Sequence, residues 1–404
     1  MSQRHDIPAV VLGTCINGLA VARALGRNGV PVVAVTRDAS SPGVHSRFVR
    51  GLWRYDGGED ALVDLLLRRG GEFAQRPALF PITDRVVLAV AARREELARS
   101  YRLPLPEEEL VRSAMGKRGF VSWAEKLGLP VPRTEFVSTL DEADAAAGRM
   151  SYPCVAKPDF QTPAGAQAAR LKVCRAEGPA ELVEFYRRIA PVEPSVVIQE
   201  WIPGGDGDVY FCLMYLDRGS RPLASFVGRK IRQWPPLSGT GCSLEPVVYG
   251  EMEDLARRFF TGIGYRGLGS LECKRGPEGS LRLVEATIGR TDFNGGIADA
   301  NGAAIAYAAY RDLAGLDPLP PRRRKRPVRW VRWSADRAAA AHYRRAGELG
   351  LLDWLWSIRP PVSWSTWAAD DPLPYLAGLG ARLRMRVGRL GRRLVPTRKG
   401  AGSP

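Results

Sequence analysis

Residues 267–290, GLGSLECKRGPEGSLRLVEATIGR, read as two antiparallel strands joined by the turn Arg-Gly-Pro-Glu-Gly, and no other stretch limits the fold so strongly. The first strand carries Glu272 and the second ends near Glu285, each inside an apolar run that a sheet would bury. A hairpin brings these carboxylates together across the ladder. Like charges repel, so the pair calls for a shared counter-ion, and hard oxygen ligands favour magnesium, with manganese as the alternative. Thr287 and Gly289 follow, then a cation, Arg290, where the strand ends. As a plain surface ion pair, Glu285 and Arg290 would contribute only about 0–1 kcal/mol.

The rest of the chain alternates strands and helices. PAVVLG, TCINGLAVARALGRNG and VPVVAVT (8–36) form a βαβ opening, and the alternation continues to about residue 105 as an open α/β unit. Gly13-x4-Gly18 is not the dinucleotide fingerprint and reads as a turn that lets a helix start close to the sheet. MGKRGFVSWAEKLGLPVPRTEFV (115–137) joins a helix to a strand. YPCVAKPDF (152–160) is a strand bearing Lys157, and a half-buried ammonium is costly unless it meets an anion such as phosphate. SVVIQEWIPGGDGDVYFCLMYLD (195–217) is strand, Gln-Glu hinge, Gly-rich turn and a strand starting just after Asp208.

At 404 residues and 45% hydrophobic content, the chain can bury a large core in two or three units. The start lacks the pattern of a signal peptide and no stretch is long and apolar enough to span a bilayer, so a cytoplasmic protein is expected. Six scattered cysteines without a Cys-x-x-Cys pair, and three histidines, argue against a zinc cage. The net charge of +16 is concentrated: from Arg322 onward the chain carries +14, with six of the ten tryptophans, leaving about +2 for residues 1–321.

The order of Met-Gly-Lys117, Tyr-Pro-x-x-x-Lys157-Pro, Gln-Glu200-x-Ile-Pro-Gly, Glu272-x-Lys274 and Glu285-x-x-x-x-Arg290 resembles the ATP-grasp ligases over residues 8 to about 315. That resemblance implies α/β and α+β units in an ATP-grasp fold. A Rossmann-like domain would span 1–110, a lid 111–200, and a metal- and phosphate-bearing domain 201–317. A basic, Trp-rich extension would occupy 318–404. ATP would be held between lid and last domain, with Lys117 and Lys157 on its phosphates. Glu200 and the backbone of Trp201 and Ile202 would read the adenine edge, and Asp208 would hold the ribose. Glu272 and Glu285 would hold magnesium, and Arg290 would stabilise the transferred phosphoryl group. The implied reaction joins a carboxylate and an amine through an acyl phosphate. A non-catalytic ATP-binding scaffold is the alternative.

The sequence departs from the family pattern in two places. Many relatives carry Glu-x-Asn-x-Arg, whereas Thr287 stands where the asparagine would bind metal, which puts a second metal in doubt. The segment is similar to a Glu-Pro-Thr-x-Gly-Arg-Thr variant linked to bacterial surface-polysaccharide gene sets, which makes a glycan acceptor one expectation. The lid loop 159–173 has Gly165, Gln161 and Thr162 in place of several glycines. For the acceptor, GRKIRQWPPLSGTGCS (228–243) offers Arg229, Lys230 and Arg232 near a Gly-Thr-Gly turn, with Lys230 the expected catalytic residue; the bland alternative is a basic solvated loop. Asp292 and Asn294 are candidates for the amine.

In the extension, YLAGLGARLRMRVGRLGRRLV (375–395) spaces its leucines by three and four and studs the other face with arginines. Arginine with tryptophan suits an anionic membrane surface, so peripheral membrane contact is an expectation, against a segment that packs back on the core. Nucleic acid would also suit the charge, but no reader motif accompanies it.

Overall fold

A computed structural model of the chain describes residues 6–158, 173–237, 239–320 and 324–380. The lid-loop residues Gln161, Thr162 and Gly165, and the basic segment from residue 381 onward, lie outside the described residues.

The N-terminal layer consists of β1 (Ala9–Leu12), α1 (Ile16–Arg27), β2 (Val32–Thr36), β3 (Val49–Arg54), α2 (Glu59–Arg69), β4 (Ala78–Pro81), α3 (Asp84–Ala92) and α4 (Arg94–Ala98). Its strands form a parallel sheet ordered β3-β2-β1-β4. All four residues of β1 are apolar and buried, as a parallel strand covered on both faces requires. A Cβ at Gly18 would lie 2.0 Å from the carbonyl oxygen of Gly13, so glycine there lets α1 start directly against the end of β1.

Two helices follow, α5 (Glu108–Met115) and α6 (Lys117–Lys126). They bury Val111, Ala114, Phe120 and Val121 in the core that also holds Phe259 and Ile288. A second sheet unit follows, with β5 (Thr134–Val137), α7 (Leu140–Arg149), β6 (Cys154–Pro158), β7 (Cys174–Ala176), α8 (Pro179–Ile189) and β8 (Val196–Glu200). Its antiparallel sheet runs β5-β8-β6-β7, and Ala143, Leu182, Phe185 and Ile189 of the helices pack on Ile198.

The main body contains β9 (Val209–Leu216), β10 (Pro222–Trp234), β11 (Thr240–Pro246), α9 (Gly250–Gly262), β12 (Gly267–Arg275), β13 (Leu281–Ile288), α10 (Gly296–Ala300), α11 (Ile305–Ala314), β14 (Arg329–Val331), α12 (Trp333–Arg345), α13 (Leu351–Ser357) and β15 (Val362–Trp364). The sheet is ordered β13-β12-β9-β10-β11-β14-β15. Alternation along β9 feeds two cores: Tyr210, Cys212 and Met214 join the cluster holding Phe259 of α9, and Phe211, Leu213 and Tyr215 join that of Tyr307 and Tyr310 on α11.

The extension is built into this body through residue 371 and does not hang from it as a separate unit. β14 pairs with β11, Ser243 opposite Val331, and β15 pairs with β14. Asp336 of α12 is fully buried against Arg232 at 2.7 Å, and Asp371 is fully buried against Arg23 of α1 at 2.9 Å. Neither pairing has a local sequence signature. The expected basic helix over 375–395 is described only in part, as a helix over 373–380. Among the described residues no helix is long and apolar enough to cross a membrane.

Candidate functional site

The acidic hairpin has the register its sequence implies. Glu272 of β12 and Glu285 of β13 are direct cross-strand partners, and Ser270 faces Thr287 two pairs further along. Alternation puts all four on one face of the sheet. The register slips just beyond Glu272, so the ladder bends where the acids sit. Glu285 is exposed to solvent, yet protein atoms crowd around its carboxylate. This crowding raises its pKa above the ordinary carboxylate range. Glu272 and Asp292 raise it further, while Lys157 and Lys230 pull it down.

A raised carboxyl pKa has a definite sign in stability. The protein without a bound cation gains from a protonated Glu285 at low pH and loses that gain as pH rises through the folded-state pKa. A divalent ion on the ionised pair reverses the penalty. A melting-temperature increase on adding magnesium, if the ion sits on this pair, is therefore expected to grow as pH rises through the raised carboxyl pKa of Glu285, and Glu285→Gln should flatten it. A shift independent of pH would contradict this electrostatic picture.

Lys230 is not on a loop. It lies on the long strand β10, 6% exposed, and donates to Glu272 at 2.7 Å and to the Gln233 side chain at 3.2 Å. Burial works to lower its pKa, but Glu272, then Asp292 and Glu285, outweigh this and hold the ammonium above its ordinary range. Its neighbours in the basic run are occupied elsewhere: Arg229 with Glu245, and Arg232 with Asp336. The solvated basic loop considered from sequence is thus a buried strand whose cations each meet an acid.

The remaining expected nucleotide residues lie on or beside the small antiparallel sheet. Lys157 is a half-buried residue of β6 whose charge acts on Glu285. Lys117, the first residue of α6, donates to the carbonyl of Pro158, next to Lys157, at 3.4 Å. Glu200 ends β8, and its carboxylate accepts from the backbone of Arg133 at 3.3 Å. The Trp201 ring meets two cations, Arg175 of β7 at 5.0 Å and Lys274 of β12 at 4.8 Å. Ile202 follows, partly buried. Asp208 sits just before β9, accepting from Arg275 at 3.1 Å and from the Gly205 amide at 3.0 Å. Lys274 donates to the carbonyl of Gly204 at 3.0 Å, so the loop between hinge and β9 is tied to the acidic hairpin.

Arg290 closes the third side. Gly289 has φ +77°, and a Cβ there would lie 2.5 Å from Val87 and 2.6 Å from Leu105, so only glycine turns the chain against the N-terminal layer here. Arg290 then donates to Asp84, the first residue of α3, at 2.6 Å, and lies 3.8 Å from Asp292. Burial lowers its pKa, but Asp84, Asp292 and Glu285 overcompensate. Asn17 and Thr291 exchange hydrogen bonds of 2.7 and 2.6 Å across the same junction. Asn294 is buried beside this loop, its side-chain oxygen without a hydrogen-bond partner. Sequence reasoning passed over Asp84, although a helix-opening acid at the carboxyl end of a parallel strand is where such folds place ligand contacts.

The donors fit a magnesium ion. Two facing carboxylates and the Thr287 hydroxyl form a small hard-oxygen set, and Glu285 sits in a field that favours a cation. Among the described residues no cluster of three or more His, Cys, Asp or Glu forms a complete cage. Two carboxylates with phosphate oxygens are the arrangement magnesium commonly takes.

No family model matches the chain. A formate-dependent phosphoribosylglycinamide formyltransferase of Wolinella succinogenes is 24% identical over 280 residues, covering 66% of this chain and 66% of the relative. A D-alanine–D-alanine ligase of Pseudomonas entomophila is 22% identical over 185 residues, 42% of this chain and 54% of the relative. The matches thus span from about half to about two thirds of these relatives. Among solved structures, an N5-carboxyaminoimidazole ribonucleotide synthetase in complex with ADP superposes with TM-score 0.63 at 15% identity, over 81% of this chain and 82% of that one. The biotin carboxylase domain of Hydrogenobacter thermophilus 2-oxoglutarate carboxylase, bound to MgADP and bicarbonate, gives 0.62 at 15%, over 78% and 71%.

Proposed function

Because the chain belongs to the ATP-grasp superfamily, we propose that it is an ATP-dependent carboxylate–amine ligase, magnesium-dependent and ADP-forming. One observation carries this reading: the cross-strand pair Glu272 and Glu285, faced by Lys157 and Lys230 and flanked by Arg290. Such a site suits phosphoryl transfer, where charge builds on the moving group and must be neutralised in place.

In the proposed reaction a carboxylate oxygen of the acid attacks the γ-phosphorus of ATP, and ADP leaves. The amine then attacks the carbonyl of the acyl phosphate, inorganic phosphate leaves, and the amine proton passes to solvent. Lys117 and Lys157 hold the phosphates, and the hinge at Glu200, Trp201 and Ile202 reads the adenine, with Asp208 on the ribose. Glu272, Glu285 and Thr287 would hold magnesium, which would supply charge neutralisation for the phosphoryl group. Lys230 holds the Glu272 carboxylate in place through their 2.7 Å ion pair, and Arg290 meets the transferred group.

The test is ADP release with panels of carboxylic acids and amines. Turnover that needs both partners supports a ligase, whereas ATP binding with no turnover under any pairing supports a scaffold. Within the metal set, Thr287→Ala should raise the magnesium concentration needed for half-maximal rate by less than about tenfold, because a hydroxyl is a weaker ligand than a carboxylate. A loss as large as that of either glutamate would make Thr287 a principal ligand.

The finer setting, a surface-polysaccharide pathway beside an anionic membrane, rests on two features. One is the Glu285-Ala-Thr287-Ile-Gly-Arg290 segment. The other is α13, which buries none of its residues and exposes Leu352 at 79% and Trp356 at 67%, in a chain whose residues 381–404 carry eight Lys and Arg and no acid. Flotation with anionic liposomes should retain the full chain and release one ending at residue 380. Equal partitioning would remove the membrane from the proposal.

A further inference from the structure

We propose that α12 of the C-terminal extension is a working part of the nucleotide site, with Tyr343 the positioning residue that latches the hinge loop; this rests on the nucleotide reading above. Asp206 lies between the expected adenine hinge (200–202) and the expected ribose contact Asp208, and it is buried at 5% exposure. A buried carboxylate at that point needs donors. It has three: the backbone amides of Gln233 at 2.9 Å and Leu237 at 3.0 Å, and the hydroxyl of Tyr343 at 2.7 Å. Two of these come from β10 and the loop after it, and the third from the extension, 137 residues away in the chain.

The contacts continue into the metal site. Gln233, whose amide holds Asp206, accepts from Lys230 through its side chain at 3.2 Å, and Lys230 donates to Glu272 at 2.7 Å. A hydrogen-bonded path thus runs from α12 through the hinge loop to one of the two acids. α12 is fastened to the same stretch of β10 at a second point, where Asp336 accepts from Arg232 at 2.7 Å and from Trp354 at 2.8 Å. His342 meets Trp234 edge-on at 6.4 Å. Burial and the Asp206 charge both push the Tyr343 pKa upward, so the phenol stays protonated and donates.

Fixing a nucleotide loop from behind costs nothing at the moment of binding, whereas a loose loop must be ordered each time. Loss of the latch should therefore appear in affinity first. The test compares MgADP binding by titration calorimetry for the wild type, Tyr343→Phe, and Arg344→Ala on the exposed side of the same helix. With the latch in place as described, Tyr343→Phe binds MgADP about fivefold or more weakly, while its melting temperature stays within a few degrees and Arg344→Ala matches the wild type. Where turnover is measured, the KM for ATP rises by a larger factor than kcat falls, a split that general loosening of the fold does not produce.

Equal affinity of Tyr343→Phe and wild type overturns the proposal while leaving the nucleotide site intact. Failure of the wild type to bind MgADP overturns the nucleotide reading itself, and the latch with it. Should Tyr343→Phe not fold, Asp206→Asn supplies the same comparison, with weakened MgADP binding expected and unchanged binding decisive against it.

Discussion

Glu285→Gln is expected to lower ATP turnover by about a thousandfold or more while leaving the protein as stable as before, or more so. Replacing the carboxylate removes a charge from the proposed metal-holding pair, and losses of that size are typical when preorganised charge at a transferring group is deleted. The stability side follows from the field around it: Glu285 is held partly against its ionisation by Glu272 and Asp292, so a neutral isostere relieves repulsion. Glu272→Gln should behave differently. Its carboxylate is the ion-pair partner of Lys230, which is 6% exposed, and removing it leaves a buried ammonium without its acid. That variant should lose turnover and melt at a lower temperature as well. Steady-state ADP release combined with thermal melts separates the two. More than a tenth of wild-type turnover in Glu285→Gln would refute the assigned role.

Asp371→Ala is expected to cost about 3–5 kcal/mol of folding stability, although it lies far along the chain from every expected site residue. The carboxylate is fully buried and accepts from Arg23 at 2.9 Å, the Ser46 hydroxyl at 2.7 Å and the Arg47 amide at 2.9 Å. Truncation strands all three donors, including a guanidinium that is itself nearly buried. The neighbouring pair provides the contrast. Asp370 and Arg27 are 2.8 Å apart but both exposed, so Asp370→Ala should cost less than about 1 kcal/mol. Urea unfolding of the two variants measures the difference. Similar small losses would mean that the extension is dispensable to the fold.

The two predictions fall on either side of what the sequence made legible. The acidic hairpin could be read because its information is local: alternating apolar residues, a Gly-Pro-Glu-Gly turn and two carboxylates fix the register within 24 residues, and Glu272 does face Glu285. The strand of Lys157 and the strand start after Asp208 were legible for the same reason. β10 was not. Its run from Phe226 to Trp234 contains Arg229, Lys230 and Arg232, which read as acceptor contacts or else as a solvated loop, because their neutralising acids, Glu245, Glu272 and Asp336, lie 16 to 104 residues further on. The extension was misleading in the same way. Asp371 and Arg23 are 348 residues apart, and nothing near either one announces the other. Arg290 was found, but its partner Asp84, 206 residues earlier, was not. Charge that is satisfied over long distances looks like surface charge in a sequence, and only the fold reveals its destination.

The central claim is that one cleft joins Lys117 and Lys157, the paired acids and Arg290 around a nucleoside triphosphate. A crystal structure with a non-hydrolysable ATP analogue and Mn2+ tests it most directly. The expected result is an anomalous peak bonded to oxygens of Glu272 and Glu285, with the phosphate chain reaching Lys117 and Lys157. A manganese peak elsewhere, or a nucleotide whose phosphates touch neither lysine, would contradict the assignment.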